Sequence, residues 1–517
     1  MATKKDIQTV AAIDVGSNYI RMSIAEIDSE GRINILEELI KPTNIGKDTF
    51  TTGRISAETI HDTCDILKKF SQLIRDYRIK DYRAVTTSAM REAENREYIL
   101  EQFRIKTGIT VEIINSAQER FLTYKALRSY AQDYKLINSQ STLIINITSG
   151  GVEVSIYDEG SLKFTEYIKL GSLRLRETLS GLETMTIDFP NAMEEYIESK
   201  IYLLKAVIKN MHIKNFIGLG GEINRIFSRY KDSRSSETGK VFVDRKIVNE
   251  LHRKMSSMSD EKIMGTYDVS KKEAEILLPS IILFHSFIKM TEAAGISVPM
   301  ISLRHGLLVD MADEFYDTKG RKDALNDIIS SVWYIAEKYG IYRKHASFVE
   351  ELALSIFDQT WKLHRLEEKE RLYLQVAAIL HDAGNYVSFS EHEVHSYSII
   401  KLCNIMGFSN SELNLIANIA RYHAYDIPLH SHTNYTTLGS REKVTVSMLS
   451  AILKLAESLD VSHSQKIRKI EVDINQDNAV FILHAVKDTL LEEWDFRNNA
   501  EFFEEVMGIR PITKHKG

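Results

Sequence analysis

Two stretches 132 residues apart repeat one pattern, and that repeat narrows the folds open to the chain. The first, "VAAIDVGSNYIRMSI", is an apolar run, a turn at Asp14-Val15-Gly16-Ser17-Asn18 and a second apolar run. A turn at Ser29-Glu30-Gly31 then leads into "GRINILEELI". The second, "STLIINITSGGVEVSIYDEGSLKFTEY", repeats strand, small-residue turn, strand, turn, strand, with Asn146 at the position of Asp14. Helical periodicity follows each, as in "AETIHDTCDILKKFSQLIRDY", where Ile60, Ile66, Leu67, Phe70 and Ile74 share a face. Repeated units of this kind imply two similar α/β domains facing each other across a cleft. Two unrelated β-hairpins are the alternative that the pattern leaves open.

A hairpin turn needs Gly or Asn for backbone reasons but needs no carboxylate at the end of a buried strand. A turn such as Asp14–Asn18 aims backbone N–H groups at one spot. Gly16 lets an anion approach closely, and Ser17 and Asn18 add hydroxyl and amide donors. Asp14 would then hold a cation, or its waters, beside phosphates. A third small turn, Gly220-Gly221 in "GLGGEINRI", ends another strand. Together the three turns read as a clamp on a phosphate chain.

The bulk numbers fit this picture. A chain of 517 residues exceeds a single core, and only 6 prolines with 44% hydrophobic residues suit a helix-rich globular protein. A net charge of −6 excludes a general positive field for nucleic acid, so no sequence-specific nucleic-acid partner is expected. Cys64 and Cys403 match no metal or redox spacing. No apolar run approaches the roughly 18 residues of a membrane helix, which gives a cytoplasmic expectation with no membrane partner.

Seven motifs in order make the pattern recognisable: "AAIDVGSNYIRMSI", "TTSAMREAENREYI", "VEIINSAQERFLTY", "IINITSGGVEVSI", "IKLGSLRLRETL", "GLGGEINRI" and "ISLRHGLLVDM". They resemble the exopolyphosphatase/guanosine pentaphosphate phosphohydrolase (Ppx/GppA) family, of the actin, Hsp70 and sugar-kinase superfamily. The resemblance implies two actin-like (ribonuclease H-like) domains, 1–127 and 128–311, flanking a cleft. It also implies Mg2+-dependent hydrolysis of a terminal phosphoanhydride of inorganic polyphosphate or guanosine penta/tetraphosphate, and a homodimer through the helical domain. By position, the family's catalytic carboxylates fall on Glu119 and Glu153. Asp14, Gly16, Ser17, Asn18 and Arg21 match its first phosphate turn, while Ser88, Arg91 and Asn95 match its "TSAxRxAxN" motif.

The second turn departs from the family. Asn146-Ile147-Thr148-Ser149-Gly150-Gly151-Val152-Glu153 stands where the family has Asp-x-Gly-Gly-Gly-Ser-Thr-Glu, so a carboxylate becomes an amide. Thr148 and Ser149 would restrict φ where phosphate approaches, though their hydroxyls would replace some lost contacts. Gln118 also replaces the first Glu of a family pair. Two outcomes stay open: slower hydrolysis, or binding of (p)ppGpp or polyphosphate with little cleavage.

Beyond 312–324, read as a link, the chain is almost all helical. Residues 320–517 read as an HD-type domain with a small C-terminal α/β extension. His345, His381-Asp382 and Asp460 follow the order H…HD…D of the HD phosphohydrolase superfamily, with His395 and His423 as further candidates. Imidazoles and carboxylates of this kind suit Mn, Fe, Zn or, less well, Mg, and a metal-activated water would then attack a phosphoester, so a third outcome is a metal-dependent nucleotide phosphohydrolase at this site with the front half regulating. Simple helix capping by the His-Asp pair before Gly384 is the competing reading.

Overall fold

The computed structural model describes residues 7–515 apart from 131–136, 138, 184, 187, 210, 228 and 230–240. Most of the polar segment 228–240, read as a surface loop, therefore lies outside the described residues. The chain divides into two units, Met1–Asn326 and Asp327–Gly517.

The first unit holds two mixed sheets. One has the order β3-β2-β1-β4-β5: β1 (Gln8–Val15), β2 (Tyr19–Ile27), β3 (Ile33–Pro42), β4 (Asp81–Thr86) and β5 (Glu112–Ile113). The other has the order β10-β11-β9-β6-β7-β8: β6 (Thr142–Ile147), β7 (Val152–Asp158), β8 (Ser161–Ile168), β9 (Asn215–Leu219), β10 (Val241–Asp244) and β11 (Gly295–Val298). In both, an antiparallel three-strand meander continues through its first strand into a parallel neighbour, β1 with β4 and β6 with β9. The repeat seen in the sequence is thus a repeat of topology.

The central strands are apolar on both sides because both faces are covered. In β1, Ala11, Ile13 and Val15 join the cluster under helix Ala57–Asp76, with Ile60, Cys64, Leu67 and Phe70. The alternate residues Val10 and Ala12 pack with Leu307, Leu308 and Met311 of helix Leu303–Tyr316. β6 divides likewise, Leu143, Ile145 and Ile147 to one cluster and Ile144 to another. Burying each such Ile, Leu or Val side chain contributes about 1.5–3 kcal/mol, so the turns at the strand ends hang from well-fixed supports.

Helix Ala57–Asp76 starts where Ser56 accepts a hydrogen bond from Thr59 N. β4 ends at Thr86, and the chain turns at once into the short helix Ser88–Glu92. Residues 312–324, read as the link out of the α/β part, are largely helical, within Leu303–Tyr316 and Lys319–Lys338, and the boundary between the units falls just after them.

In the second unit, helices Arg343–Gln359, Glu368–Leu380, His392–Leu402, Asn410–Arg421 and Ser440–Ser458 form the bulk. A sheet of order β12-β13-β14, with β12 (Ile467–Ile474), β13 (Asn478–Ala485) and β14 (Arg510–His515), closes the chain with helix Leu490–Met507. β14 pairs parallel to β13 at the sheet edge. No helix among the described residues is long and apolar enough to cross a membrane.

Candidate functional site

The two repeated turns meet. The first is closed by Gly16 N–H donating to Tyr19 O at 3.0 Å, and a side chain at Gly16 would stand only 2.9 Å from that oxygen. Ser17 Oγ lies 3.3 Å from Ser88 Oγ, and a Cβ at Gly150 of the second turn would run into Ser88 and stand 3.2 Å from Phe50. Arg174 ties the same junction: its Nε donates to Gly150 O at 2.7 Å, its Nη2 pairs with Glu92 at 2.8 Å, and its guanidinium lies 4.2 Å from the Phe50 ring centroid. At the third turn Gly220 has φ +151 and sits against Ile147 O, a place where a side chain is excluded.

These turns enclose a cleft of about 480 Å³. Its walls include Asp14, Gly16, Ser17, Arg21, Ser88, Glu119, Asn146, Thr148, Ser149, Gly220 and Gly221. Glu153 lies behind Asn146 in a small adjoining cavity with Arg120. Asn18 is buried, its backbone carbonyl accepting from Thr43 N at 3.0 Å. Gly150 and Gly151 pack against Ser88 and Tyr167 rather than lining the cleft. Asn95 is not at the site, since both ends of its amide bond the backbone of Ile55.

Register relates the charged groups. Asp14 faces Arg21 across β1/β2, and Asn146 faces Glu153 across β6/β7, so Arg21 and Glu153 are equivalent positions of the repeat. Arg21 Nη1 pairs with Asp14 at 3.3 Å, whereas Asn146 Nδ2 donates to Glu153 Oε2 at 3.0 Å. Glu119 opens helix Ser116–Tyr130 and is buried, 3.9 Å from Arg91 Nη1. Burial, then the neighbouring Glu153 charge, pushes Glu119 up to about 8 against the pull of Arg91. Burial also raises Glu153, opposed by Arg120 and the Asn146 hydrogen bond. Arg91 Nη1 donates to Ile114 O at 2.5 Å, while its Nη2 is buried without a hydrogen-bond partner.

Glu153 Oε1 is a buried acceptor without a hydrogen-bond donor, the kind of oxygen a divalent cation would engage. Asp14, Glu119 and Glu153 are not among the groups of close potential ligand atoms, so the fit to such an ion rests on that one oxygen.

The altered second turn carries no strain. Neither Thr148 nor Ser149 has positive φ, so the loss of two glycines costs the backbone nothing there. The expectation that the Thr148 hydroxyl replaces lost phosphate contacts is corrected, because it donates to Gly151 O at 3.0 Å and accepts from Gly151 N at 3.2 Å. Gln118 is a capping residue: its Oε1 accepts from Asn115 N, and Asn115 Oδ1 accepts from Gln118 N. Sequence reading missed Arg120, Tyr167 and Arg174. Arg174 lies inside the motif "IKLGSLRLRETL", but its partners Glu92 and Gly150 are remote in sequence.

In the helical unit His345, His381, Asp382 and His423 do come together. His345, His381 and Glu457 form one group of close potential ligand atoms, and His381, Asp382 and His423 another. Asp460 stands behind His345, accepting from its Nδ1 at 2.8 Å, so Glu457 rather than Asp460 is the carboxylate in the cluster. His392, not His395, contacts His423, with Nε2 atoms 3.0 Å apart. The spacing of one helical turn hid both substitutions. Burial works against a charged His345, but the bonds to Asp460 and Glu457 raise it to about 10. Burial and the nearby His381 lower His423 to about 3. The His-Asp pair is more than a cap: Gly384 follows because the backbone of His392 crosses it too closely for any Cβ.

Comparison with known proteins identifies the family. Residues 23–315 match the Ppx/GppA phosphatase family, and residues 329–500 match Ppx/GppA phosphatase, domain III. The guanosine-5'-triphosphate,3'-diphosphate pyrophosphatase of Photobacterium profundum is 20% identical over 420 residues, 80% of this chain and 79% of the relative. The protein of that name from Aeromonas hydrophila is 20% identical over 468 residues, 88% of each chain. The crystal structure of an exopolyphosphatase from Cytophaga hutchinsonii superposes with TM-score 0.54 at 20% identity, covering 60% of this chain and 99% of that one. With matched regions spanning both units, the chain belongs to the Ppx/GppA phosphatase family and is a hydrolase.

Proposed function

We propose that the cleft hydrolyses the terminal phosphoanhydride of inorganic polyphosphate or of guanosine pentaphosphate. The observation that carries this reading is the junction of the repeated turns, Ser17 on Ser88 and Ser88 against Gly150, with Glu119 in the same wall. The pyrophosphatase names of the full-length relatives support it.

Glu119 acts as the base. A water oxygen forms the new bond to the terminal phosphorus while its proton passes to the Glu119 carboxylate, whose proton affinity burial has raised. The anhydride P–O bond breaks, and both electrons leave with the departing phosphate chain. Arg21 and Arg91 meet the negative charge of the anion, and Gly16, Ser17 and Gly220-Gly221 let it lie against the backbone. Asp14 and Glu153 Oε1 would hold Mg2+, which when bound supplies the charge neutralisation this transfer needs.

One observation favours a second reading, ligand binding with slow turnover. Asn146 brings no charge, and its amide engages one oxygen of Glu153. Phosphate release from both substrates, measured for wild type, Glu119→Ala and Asn146→Asp, separates the two. Loss of release in Glu119→Ala supports hydrolysis in the cleft, and release unaffected by that change overturns it. Calorimetric binding without release in the wild type selects the second reading.

The division of the first unit into actin-like domains 1–127 and 128–311, the HD-type character of 320–517 with a divalent metal, the cytoplasmic location and the homodimer belong to the same proposal. Sedimentation of the full chain checks the dimer.

A further inference from the structure

Three ligand-type side chains gather among the helices packed on the sheet of β6 to β11, and the cleft reading uses none of them. Glu194 sits on helix Phe189–Ile208, His252 on Arg245–Met255 and His285 on Lys271–Ile288. The first two helices both pack against the third. The residue just before each side chain is a core residue, Met193, Leu251 and Phe284, all fully or almost fully buried. One step along a helix turns about 100°, so the packing of those three holds the polar side chains at the rim of one groove.

His252 Nε2 lies 2.6 Å from Glu194 Oε1. The His252 and His285 rings stack, with centroids 3.7 Å apart and planes 21° from parallel. One ligand atom from each of the three residues lies within 4.8 Å of the other two. Ligands at about 2.0–2.1 Å from a tetrahedral ion stand about 3.3 Å from one another, so small side-chain rotations close this set on one ion.

A second observation points to an occupant. His285 is only 7% exposed, and its Nδ1 is buried with no hydrogen-bond partner among the described residues. A buried ring nitrogen left alone is costly, and a bound ion removes that cost. Burial, then His252 and Lys289, lowers His285 to about 3, so its ring is neutral and keeps a lone pair to give. The His252 and Glu194 side chains are 15% and 27% exposed, which leaves an ion a way in from solvent. Lys289 Nζ stands 3.9 Å from Glu194 Oε2, so one carboxylate oxygen meets a surface cation while the other meets the histidine.

We propose that Glu194, His252 and His285 bind one divalent transition-metal ion of the zinc type, with water completing its coordination. Two imidazoles and a carboxylate suit such an ion better than Mg2+. The ion takes the place of the proton between His252 Nε2 and Glu194 Oε1, which passes to solvent. Its role is to fasten three helices. At the other end of helix Lys271–Ile288, Lys272 Nζ donates to Asn44 Oδ1 at 2.7 Å and Glu273 stands in the cleft wall. The ion therefore braces a helix on which the cleft rests, whichever substrate the cleft takes.

The test uses the full chain, stripped with chelator, reloaded with Zn2+ and desalted, with bound zinc counted by mass spectrometry. The histidine cluster of the helical unit is intact in every variant, so differences between variants report this site alone. His252→Gln, at a half-buried position, should carry about one zinc fewer than wild type. Glu194→Gln should weaken zinc at least about 10-fold in competition with a chelating dye. Circular dichroism in chelator checks that both variants fold. Zinc should raise the unfolding temperature of wild type more than that of either variant. Equal zinc in wild type and His252→Gln, or an unmoved affinity in Glu194→Gln, overturns the site. A lost ion with no loss of the zinc-dependent rise in unfolding temperature overturns the bracing role.

Discussion

Asn146→Asp restores a carboxylate at a position where the structure sets the consequence quantitatively. Asn146 Nδ2 donates to Glu153 Oε2 at 3.0 Å, and Glu153 is buried. Two charged oxygens at that distance repel by about 5–6 kcal/mol at an effective dielectric of about 20. A proton shared between them limits the loss: keeping a carboxyl of ordinary pKa ~3.9 protonated at pH 7 costs about 4 kcal/mol, and at pH 5 about 1.5 kcal/mol. The variant should therefore be less stable than wild type by up to about 4 kcal/mol at pH 7 in chelator, and by about 1.5 kcal/mol at pH 5. The sign follows from a folded-state pKa raised above the unfolded one, so stability is lost as pH rises. A divalent cation engaging Glu153 and the introduced carboxylate would remove the repulsion. Millimolar Mg2+ should then recover most of the loss at pH 7 and raise phosphate release. Thermal unfolding of the full chain at both pH values, with chelator or Mg2+, reads the stability changes, and a phosphate assay reads the rate. A penalty that ignores both pH and Mg2+ refutes the reasoning.

Glu119, raised to about 8 chiefly by burial and then by Glu153, is protonated below that pH, so kcat/KM should fall as pH drops through about 8 at low Mg2+. Added Mg2+ should move that limb to lower pH, as pH–rate profiles at two Mg2+ concentrations will tell. Gly150→Ala drives a Cβ into Ser88 and toward Phe50, and should destabilise by about 1–3 kcal/mol with loss of release. Gly181→Ala, with nothing within 4 Å and a place inside helix Ser172–Glu183, should stabilise by about 0.5–1 kcal/mol in the same melts. Arg174→Ala removes the Glu92 pair, the Gly150 bond and the Phe50 contact together, and should raise KM for the anion more than it lowers the melting temperature, by substrate titration beside thermal unfolding.

What was legible in the sequence follows from which forces are local. The alternation in β1 and β6, the helical face Ile60, Leu67 and Phe70 and the 132-residue repeat are periodicities of burial, and each has its counterpart in the sheets. β14 escaped because "RPITKH" carries Pro511 and charges suited to an edge strand, and because its partner strand lies a helix away. In the helical unit the order of residue types pointed to the right helix ends but not to the right atoms. Glu457 and Asp460 are neighbours in sequence, and only the end of helix Ser440–Ser458 decides which one faces His381 and which one braces His345. The cleft shows the same limit in reverse. Gln118 and Thr148 look like damaged ligands, yet one caps a helix and the other closes its own turn. The altered charge that remains to be reckoned with is Asn146, and the repeat explains its weight. The first lobe pairs its Asp14 with a cation, Arg21, while the second pairs an amide with Glu153, so neither cross-strand pair places two carboxylates face to face.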